Sequence, residues 1–311
     1  MTTKQSTNTL LLVQPTNFGF NAQTAVNNSF QTKTENSDLQ KQALKEFDKL
    51  AETLDAAKVN LIIAKDEPQS QLPDSIFPNN WFSTHSDGNF CLYPMFAENR
   101  RLERKNSIIE MLKNSFEINN TIDFTHYENQ NKFLEGTGSI VLDRINRIAY
   151  ACLSPRTNED VLDDFCAKLQ FKKCCFHALF DGKEIYHTNV MLAIADKYAI
   201  VCTKSIENRN ELRNIIENLF ATNKEIIEIS MEQMQHFAGN MLQISNNNGE
   251  QFLAMSSQAC NSLNTEQIKK IERYNSILHS DIKTIETAGG GSVRCMLAEI
   301  FLKKKENEVI M

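Results

Sequence analysis

The run Leu10-Leu11-Leu12-Val13, closed by Pro15, reads as a short buried strand. A polar stretch carrying Asn17, Asn21, Asn27 and Asn28 follows without clear periodicity. Leu39, Ala43, Phe47, Leu50 and Leu54 then recur at helical spacing behind Ser37 or Asp38 as a cap, and Asn60 to Ala64 is the next strand. Beyond Pro73 and Pro78, Trp81-Phe82-Ser83 and Phe90 to Tyr93 flank Asp87-Gly88, a hairpin with a strong turn dipeptide. The pattern predicts a helix across Glu98 to Lys113 and a strand near Ile122 to Phe124.

The same order of hairpin, helix and lone strand recurs. Ser139 to Cys152 holds two apolar runs around Arg144-Ile145-Asn146, a helix starts at Thr157 or Asn158, and Phe171 to Phe180 is extended. Val190 to Cys202 pairs two runs around Ala195-Asp196-Lys197; Ser205 is expected to cap a helix bearing Leu212, Ile215, Ile216 and Leu219, with Glu225 to Ile229 extended. Met241 to Met255 pairs two runs around Asn246 to Gly249. Asn264 with Gln267 suggests a capping box for a helix carrying Ile268, Ile271 and Leu278, and Ile282 to Ile285 is the lone strand. The last apolar stretch, Val293 to Leu302, reads as a strand without a later partner, as Leu10 to Pro15 lacks an earlier one. Pairing these two gives five units, the fifth closed by the two ends of the chain, an arrangement that hides edge strands. The expected fold is α/β, a closed pseudo-five-fold αβ propeller forming one domain over residues 1–311.

Composition narrows the function. With 311 residues, 41% apolar and 23% charged, the chain is an ordinary globular protein. A net charge of -6 without a basic block argues against nucleic acid or an anionic membrane surface as partner. No apolar run is long enough for a signal peptide or a membrane span, so a cytoplasmic location is expected. Thiols stay reduced there, and the eight cysteines are not a disulfide framework.

The repeat places chemistry. The handover from lone strand to next hairpin falls near Asn80, Glu135, His187, Asn240 and Cys295, at intervals of 52 to 55 residues. In a closed repeat these equivalent positions converge on the axis. Cys295 follows Gly289-Gly290-Gly291, a run that lets main chain approach a ligand closely. A thiol needs a neighbouring base or cation to attack as thiolate, an imidazole moves protons at neutral pH, and a carboxylate fixes its tautomer. Cys295, His187 and Glu135 supply those three parts. Cys174, Cys175 and His177 make no metal site, because adjacent strand residues face opposite ways and no second ligand cluster exists. Arg100, Arg101 and Arg104 are expected on a solvated helix face, from which one could reach a substrate carboxylate; Arg294, on a strand, should point away from Cys295.

These residues carry a resemblance. Phe77-Pro78-Asn79-Asn80-Trp81, Leu134-Glu135-Gly136, His187-Thr188-Asn189 and the Gly289 to Cys295 turn resemble the pentein superfamily of amidinotransferases and arginine deiminases. Gln14 to Asn21, followed by Asn27 to Gln31, is similar to its bacterial citrulline hydrolase (ureidase) branch. The resemblance implies the five-fold propeller and cofactor-free chemistry through a covalent thio-intermediate, with Cys295 as nucleophile, His187 as general acid and base, and Glu135 as its orienting partner. Asn80 and Asn189 fall where deiminases place two substrate-gripping aspartates. The deiminase Glu-Gly-Gly-Asp is here Glu135-Gly136-Thr137-Gly138-Ser139. The Asn17–Asn28 segment is expected to be a lid or rim, with Asn17 and Asn21 as candidate substrate-binding residues. The implied partner is a small amino-acid substrate, with L-citrulline first and arginine or dimethylarginine as the alternative. A non-catalytic pentein binding module is the rival of another class, and a homo-oligomer is left open.

Overall fold

The computed structural model describes residues 3–34, 38–66 and 71–306. Among the described residues, five three-stranded sheets share one pattern: an antiparallel pair, one strand of which pairs in parallel with a third beyond a helix. Parallel neighbours need such a crossover, so each helix lies against its own sheet. The first sheet joins Phe82–Thr84, Asn89–Leu92 and Asn120–Asp123, and the second Ile140–Asp143, Ile148–Cys152 and Lys172–Phe176. The third joins Leu192–Ile194, Tyr198–Val201 and Glu225–Glu228, and the fourth Leu242–Ser245, Gln251–Ser256 and Ser276–Ser280. In the fifth, Thr9–Gln14 pairs antiparallel with Ala298–Glu299 and in parallel with Asn60–Lys65, so the two ends of the chain build one sheet. A small extra hairpin, Leu179–Phe180 with Lys183–Glu184, interrupts the long strand expected over Phe171 to Phe180.

The middle strands are enclosed. Leu10, Leu11 and Leu12 are fully buried, as are Ala149, Tyr150 and Ala151. The Leu39–Ala56 helix turns Ala43, Phe47, Leu50 and Leu54 onto the fifth sheet, as its spacing predicts. Asp38 stands at its N-cap position, and Ser37 lies outside the described residues. The capping box forms as expected: Asn264 accepts from Glu266 N and Gln267 N, while Gln267 accepts from Asn264 N at 2.9 Å. Asn158, not Thr157, caps the next-module helix Glu159–Leu169.

Other boundaries differ, each for a local reason. The helix expected over Glu98 to Lys113 is two, Glu98–Arg101 and Asn106–Ser115, because Arg100 and Glu103 both turn inward and pair at the break. Asn208, not Ser205, caps Arg209–Ala221; Ser205 instead donates to Cys202 O at 2.7 Å. Leu278 lies in a strand, since the helix ends after Glu272 where Asn275 turns into the core to meet Tyr198 and Gln243. Its seven-residue spacing from Ile271 matches the helical period, which is why the sequence pattern extends the helix to it. Ile282 to Ile285 opens the Lys283–Gly289 helix and is not the lone strand. Val293–Met296 is one helical turn and only Ala298–Glu299 is strand, because an apolar run buried on all sides carries no period to separate the two. Among the described residues no helix is long and apolar enough to cross a membrane.

Candidate active site

Each of the five junction residues sits in or beside a short turn that feeds the first strand of a sheet. Asn80 ends the turn Pro78–Asn80, Glu135 precedes Gly136–Ser139, His187 precedes Thr188–Val190, Asn240 precedes Leu242–Ser245 and Cys295 lies in Val293–Met296. All five are buried. His187 Nε2 lies 2.8 Å from Glu135 Oε2, and Asn189 and Asn240 each point Nδ2 at Cys295 Sγ, at 3.5 and 3.3 Å. Asn80, His187 and Cys295 border one narrow cavity, which Asp74, Arg100, Arg156, Tyr186 and the three glycines also line. The convergence expected from the repeat is present.

Glu135 is enclosed, its Oε1 accepting from Phe96 N at 3.0 Å. Burial pushes its carboxyl up, but Arg156 at 3.5 Å, His187 and Arg100 at 4.0 Å outweigh that and hold it down at about 2. It is therefore ionised and accepts only. Burial holds His187 down at about 4 against the upward pull of Glu135, so the imidazole is neutral at pH 7. With an acceptor at 2.8 Å, Nε2 carries the ring proton and leaves Nδ1 as a base. Gly138 faces that atom: an added Cβ would stand 2.8 Å from His187 Nδ1 and 2.4 Å from Asn80 Nδ2. The second glycine of this loop thus makes room for both side chains.

The thiol sits on the opposite wall. Cys295 N bonds Ser292 O at 2.9 Å, closing the turn that presents Sγ. Before it, Gly290 adopts φ +64°, the left-handed region that suits glycine. Its carbonyl accepts from Tyr186 OH at 2.6 Å and Asn28 Nδ2 at 3.2 Å. Gln31 donates to Ala288 O at 2.9 Å and Thr32 N to Thr287 O at 2.8 Å, so the segment after Asn27 straps over the glycine turn. Behind it, Ser292 Oγ donates to buried Glu286 at 2.6 Å; burial pushes this carboxyl up to about 7, though Ser256 and Ser292 pull it down.

Several participants escaped the sequence reading. Arg100 is not on a solvated face: it is 2% exposed, donates to Asn80 Oδ1 at 2.9 Å and pairs with Glu103 at 2.8 and 2.9 Å. Glu103 three residues on was the available signal. Arg156 binds the strap through Thr24 O at 2.7 Å and Asn27 Oδ1 at 2.8 Å. Asp74 accepts from Asn21 Nδ2 at 2.8 Å and from Thr24 Oγ1 at 3.1 Å, while its buried Oδ1 has no partner. Asn21 therefore holds Asp74 from behind, and Asn17, which donates to Thr16 Oγ1 at 3.5 Å, does not line the cavity. Arg294 does point away from Cys295, from a helical turn and not a strand, donating to Leu297 O and Glu299 at 2.9 Å. Cys174 and His177 take separate partners, Asn218 and Glu211, and no group of metal-binding side chains occurs among the described residues.

The sequence model of one family, N,N dimethylarginine dimethylhydrolase, eukaryotic, matches residues 14–302. The chain belongs to this family. It and its structural neighbours are members of the pentein superfamily. Apo ArgZ, an arginine dihydrolase from the ornithine-ammonia cycle in cyanobacteria, superposes with a TM-score of 0.75 at 15% identity over 97% of this chain. This chain spans 42% of that one. The ArgZ N-terminal domain alone, a cysteine-to-serine mutant bound to substrate, gives 0.74 at 16% identity, covering 95% of this chain and 98% of the domain. A dimethylarginine dimethylaminohydrolase mutant carrying an S-methyl-L-thiocitrulline adduct gives 0.61 at 16% identity, covering 94% and 99%. The enzymes in these comparisons are named for arginine and dimethylarginine. Among curated proteins no sequence matches.

Proposed function

We propose that this member of the dimethylarginine dimethylhydrolase family is a cysteine-dependent hydrolase of an amino acid's ureido group, converting L-citrulline to ornithine, carbon dioxide and ammonia. Residues 1–311 act as one catalytic domain, a closed pseudo-five-fold propeller; the joined ends of the chain and the five converging turns support that reading. His187 Nδ1 takes the thiol proton as Cys295 Sγ attacks the terminal carbon and forms a C–S bond. His187 returns that proton to the nitrogen as its C–N bond breaks, and then takes one from the water that breaks the C–S bond. The carbamate left behind falls apart to carbon dioxide and an amine.

One observation carries the choice of substrate. Arg100 donates to Asn80 Oδ1 at 2.9 Å, which fixes the amide so that Nδ2 faces the site, and that buried donor has no partner. Asn189 is the converse: its Nδ2 points at Cys295 Sγ and its buried Oδ1 is unpartnered. A ureido group offers an oxygen to the first and an N–H to the second. A guanidinium has only donors and would leave Asn80 Nδ2 unsatisfied, a loss of roughly 1–3 kcal/mol.

A second reading, hydrolysis of arginine or a methylated arginine, rests on Asp74. Its free Oδ1 lines the cavity and suits a guanidinium, as it suits a substrate ammonium. kcat/KM for citrulline, arginine and dimethylarginine separates the two. Citrulline should be preferred, Asn80→Asp and Asn189→Asp should each lower its rate, and Asp74→Asn should raise its KM. A wild-type enzyme that prefers arginine sinks the citrulline reading.

A further inference from the structure

A second, small cavity of about 20 Å³ lies beside Arg294, bounded by the first strands of the second, third, fourth and fifth sheets. Apolar side chains, Val141, Leu192, Ile194 and Leu242 among them, line it together with Arg144, Arg294 and Glu299. Both guanidinium groups share one carboxylate oxygen: Arg294 Nη2 stands 2.9 Å and Arg144 Nη2 3.5 Å from Glu299 Oε2. Arg144 is 5% exposed, Arg294 6% and Glu299 8%. Two cations and one anion leave the chamber with an excess positive charge.

Little else offsets it. Arg294 Nη1 donates to Leu297 O at 2.9 Å and Arg144 Nη1 to Thr84 O at 3.3 Å, while the Phe301 ring covers Arg144 at 3.9 Å. Nearby His85 adds no charge, because burial and Arg144 hold it well below its ordinary value. The N-terminal segment closes the far end: Gln5 Nε2 donates to Leu142 O at 2.8 Å and Ile194 O at 3.1 Å, and its Oε1 accepts from Arg144 N at 2.8 Å. An unbalanced charge in an apolar enclosure costs several kcal/mol unless something pairs with it.

We propose that this chamber binds a small, weakly hydrated inorganic monoanion, of the halide class, between Arg144 and Arg294. One negative charge neutralises the excess, whereas a dianion such as phosphate would overshoot it. Apolar walls and guanidinium donors favour an anion that sheds water readily. The site is separate from the cavity that holds Cys295 Sγ, and it does not depend on which amino acid is hydrolysed.

The test uses the full-length protein in sodium bromide against sodium gluconate, a large polyhydroxylated anion, at equal ionic strength. The midpoint of thermal unfolding should rise saturably with bromide only, by roughly 2 °C at ten times the dissociation constant. Bromide soaked into crystals should give an anomalous peak within hydrogen-bonding reach of both arginines. Arg144→Met should abolish the bromide effect. Should that variant fail to fold, Glu299→Gln keeps both cations and should tighten bromide binding by about tenfold. Coincident bromide and gluconate curves, anomalous peaks confined to the surface, or a Glu299→Gln variant with unchanged bromide affinity would each overturn the proposal.

Discussion

The two walls of the Cys295 cavity are built on opposite principles. One is a closed charge network: Asp74, Arg100, Glu103, Glu135, Arg156 and His187 are each no more than 3% exposed and almost every charged atom has a partner. The other holds the thiol among amides, with Asn189 and Asn240 at 3.5 and 3.3 Å and no carboxylate against the sulfur. Buried charge is tolerated only when paired, so the first wall is rigid before any ligand arrives. Unpaired amide atoms cost less, and the second wall keeps Asn189 Oδ1 open, as Asn80 Nδ2 is open where the walls meet. The charged wall sets protonation states; the amide wall reads the reacting group.

The most drastic way to break this comparison removes both walls together. A fragment starting at residue 66 loses the strap residues Thr24 and Asn28, and Ala298–Glu299 loses its partner Thr9–Gln14. An unpaired sheet edge invites aggregation, so this fragment should show no cooperative unfolding in urea. A soluble fragment with a sharp transition would speak against closure of the fifth sheet by the chain ends.

Next in size is the thiol wall alone. Cys295→Ala should cut turnover by roughly 10³-fold or more with the urea midpoint unchanged, since the side chain removed is small and its neighbours are amides. Ordinary activity in that variant would end the nucleophilic reading.

The charged wall should respond differently. Glu135→Gln should lower kcat by roughly 10²-fold. Because Glu135 pulls the His187 value upward from where burial would leave it, about 4 should fall further. The acid limb of kcat/KM then moves to lower pH. A limb that stays in place, or moves up, would mean the pair is not coupled as the 2.8 Å contact implies.

The smallest effect sharpens the view of the support behind the thiol. Glu286 is pushed from its ordinary 4.5 to about 7, by burial first and by Glu46 and Asp281 as well. A carboxyl raised in the folded state costs stability as pH rises from about 4.5 to 7, and the loss stays constant above that. Glu286→Gln keeps an acceptor for Ser292 and removes the ionisation. Its stability relative to wild type should be near parity at pH 4.5 and higher by on the order of 1–3 kcal/mol at pH 8. Parallel urea curves at the two pH values would show that Glu286 does not ionise there.

The module order was legible because each hairpin repeats the same apolar runs, turn residues and capped helix; the Asn264 and Gln267 capping box is a case where local chemistry dictates a boundary. The near-equal spacing of Asn80, Glu135, His187, Asn240 and Cys295 marks them as equivalent places in the repeat. Val293–Met296 reads as strand because burial from every side erases the period that distinguishes strand from helix, and Leu278 reads as helix because it falls seven residues after Ile271, in step with the helical period. Arg100 turns inward against the apolar pattern because Glu103, three residues on, pairs with it and breaks the helix there.

The sequence by itself determined which residues stand at equivalent places, since that depends only on the repeat and on spacing along the chain. It could not determine which polar atoms remain unpaired once those places meet. Arg100 orients the Asn80 amide, Arg156 and Arg100 hold Glu135 ionised, and Asn21 with Thr24 fixes Asp74 while leaving one oxygen open. Those are contacts between residues from 20 to over 50 positions apart, and only the tertiary structure brings them within hydrogen-bonding distance. Pairing and burial together set the charge of each group, and neither has a signature in one dimension.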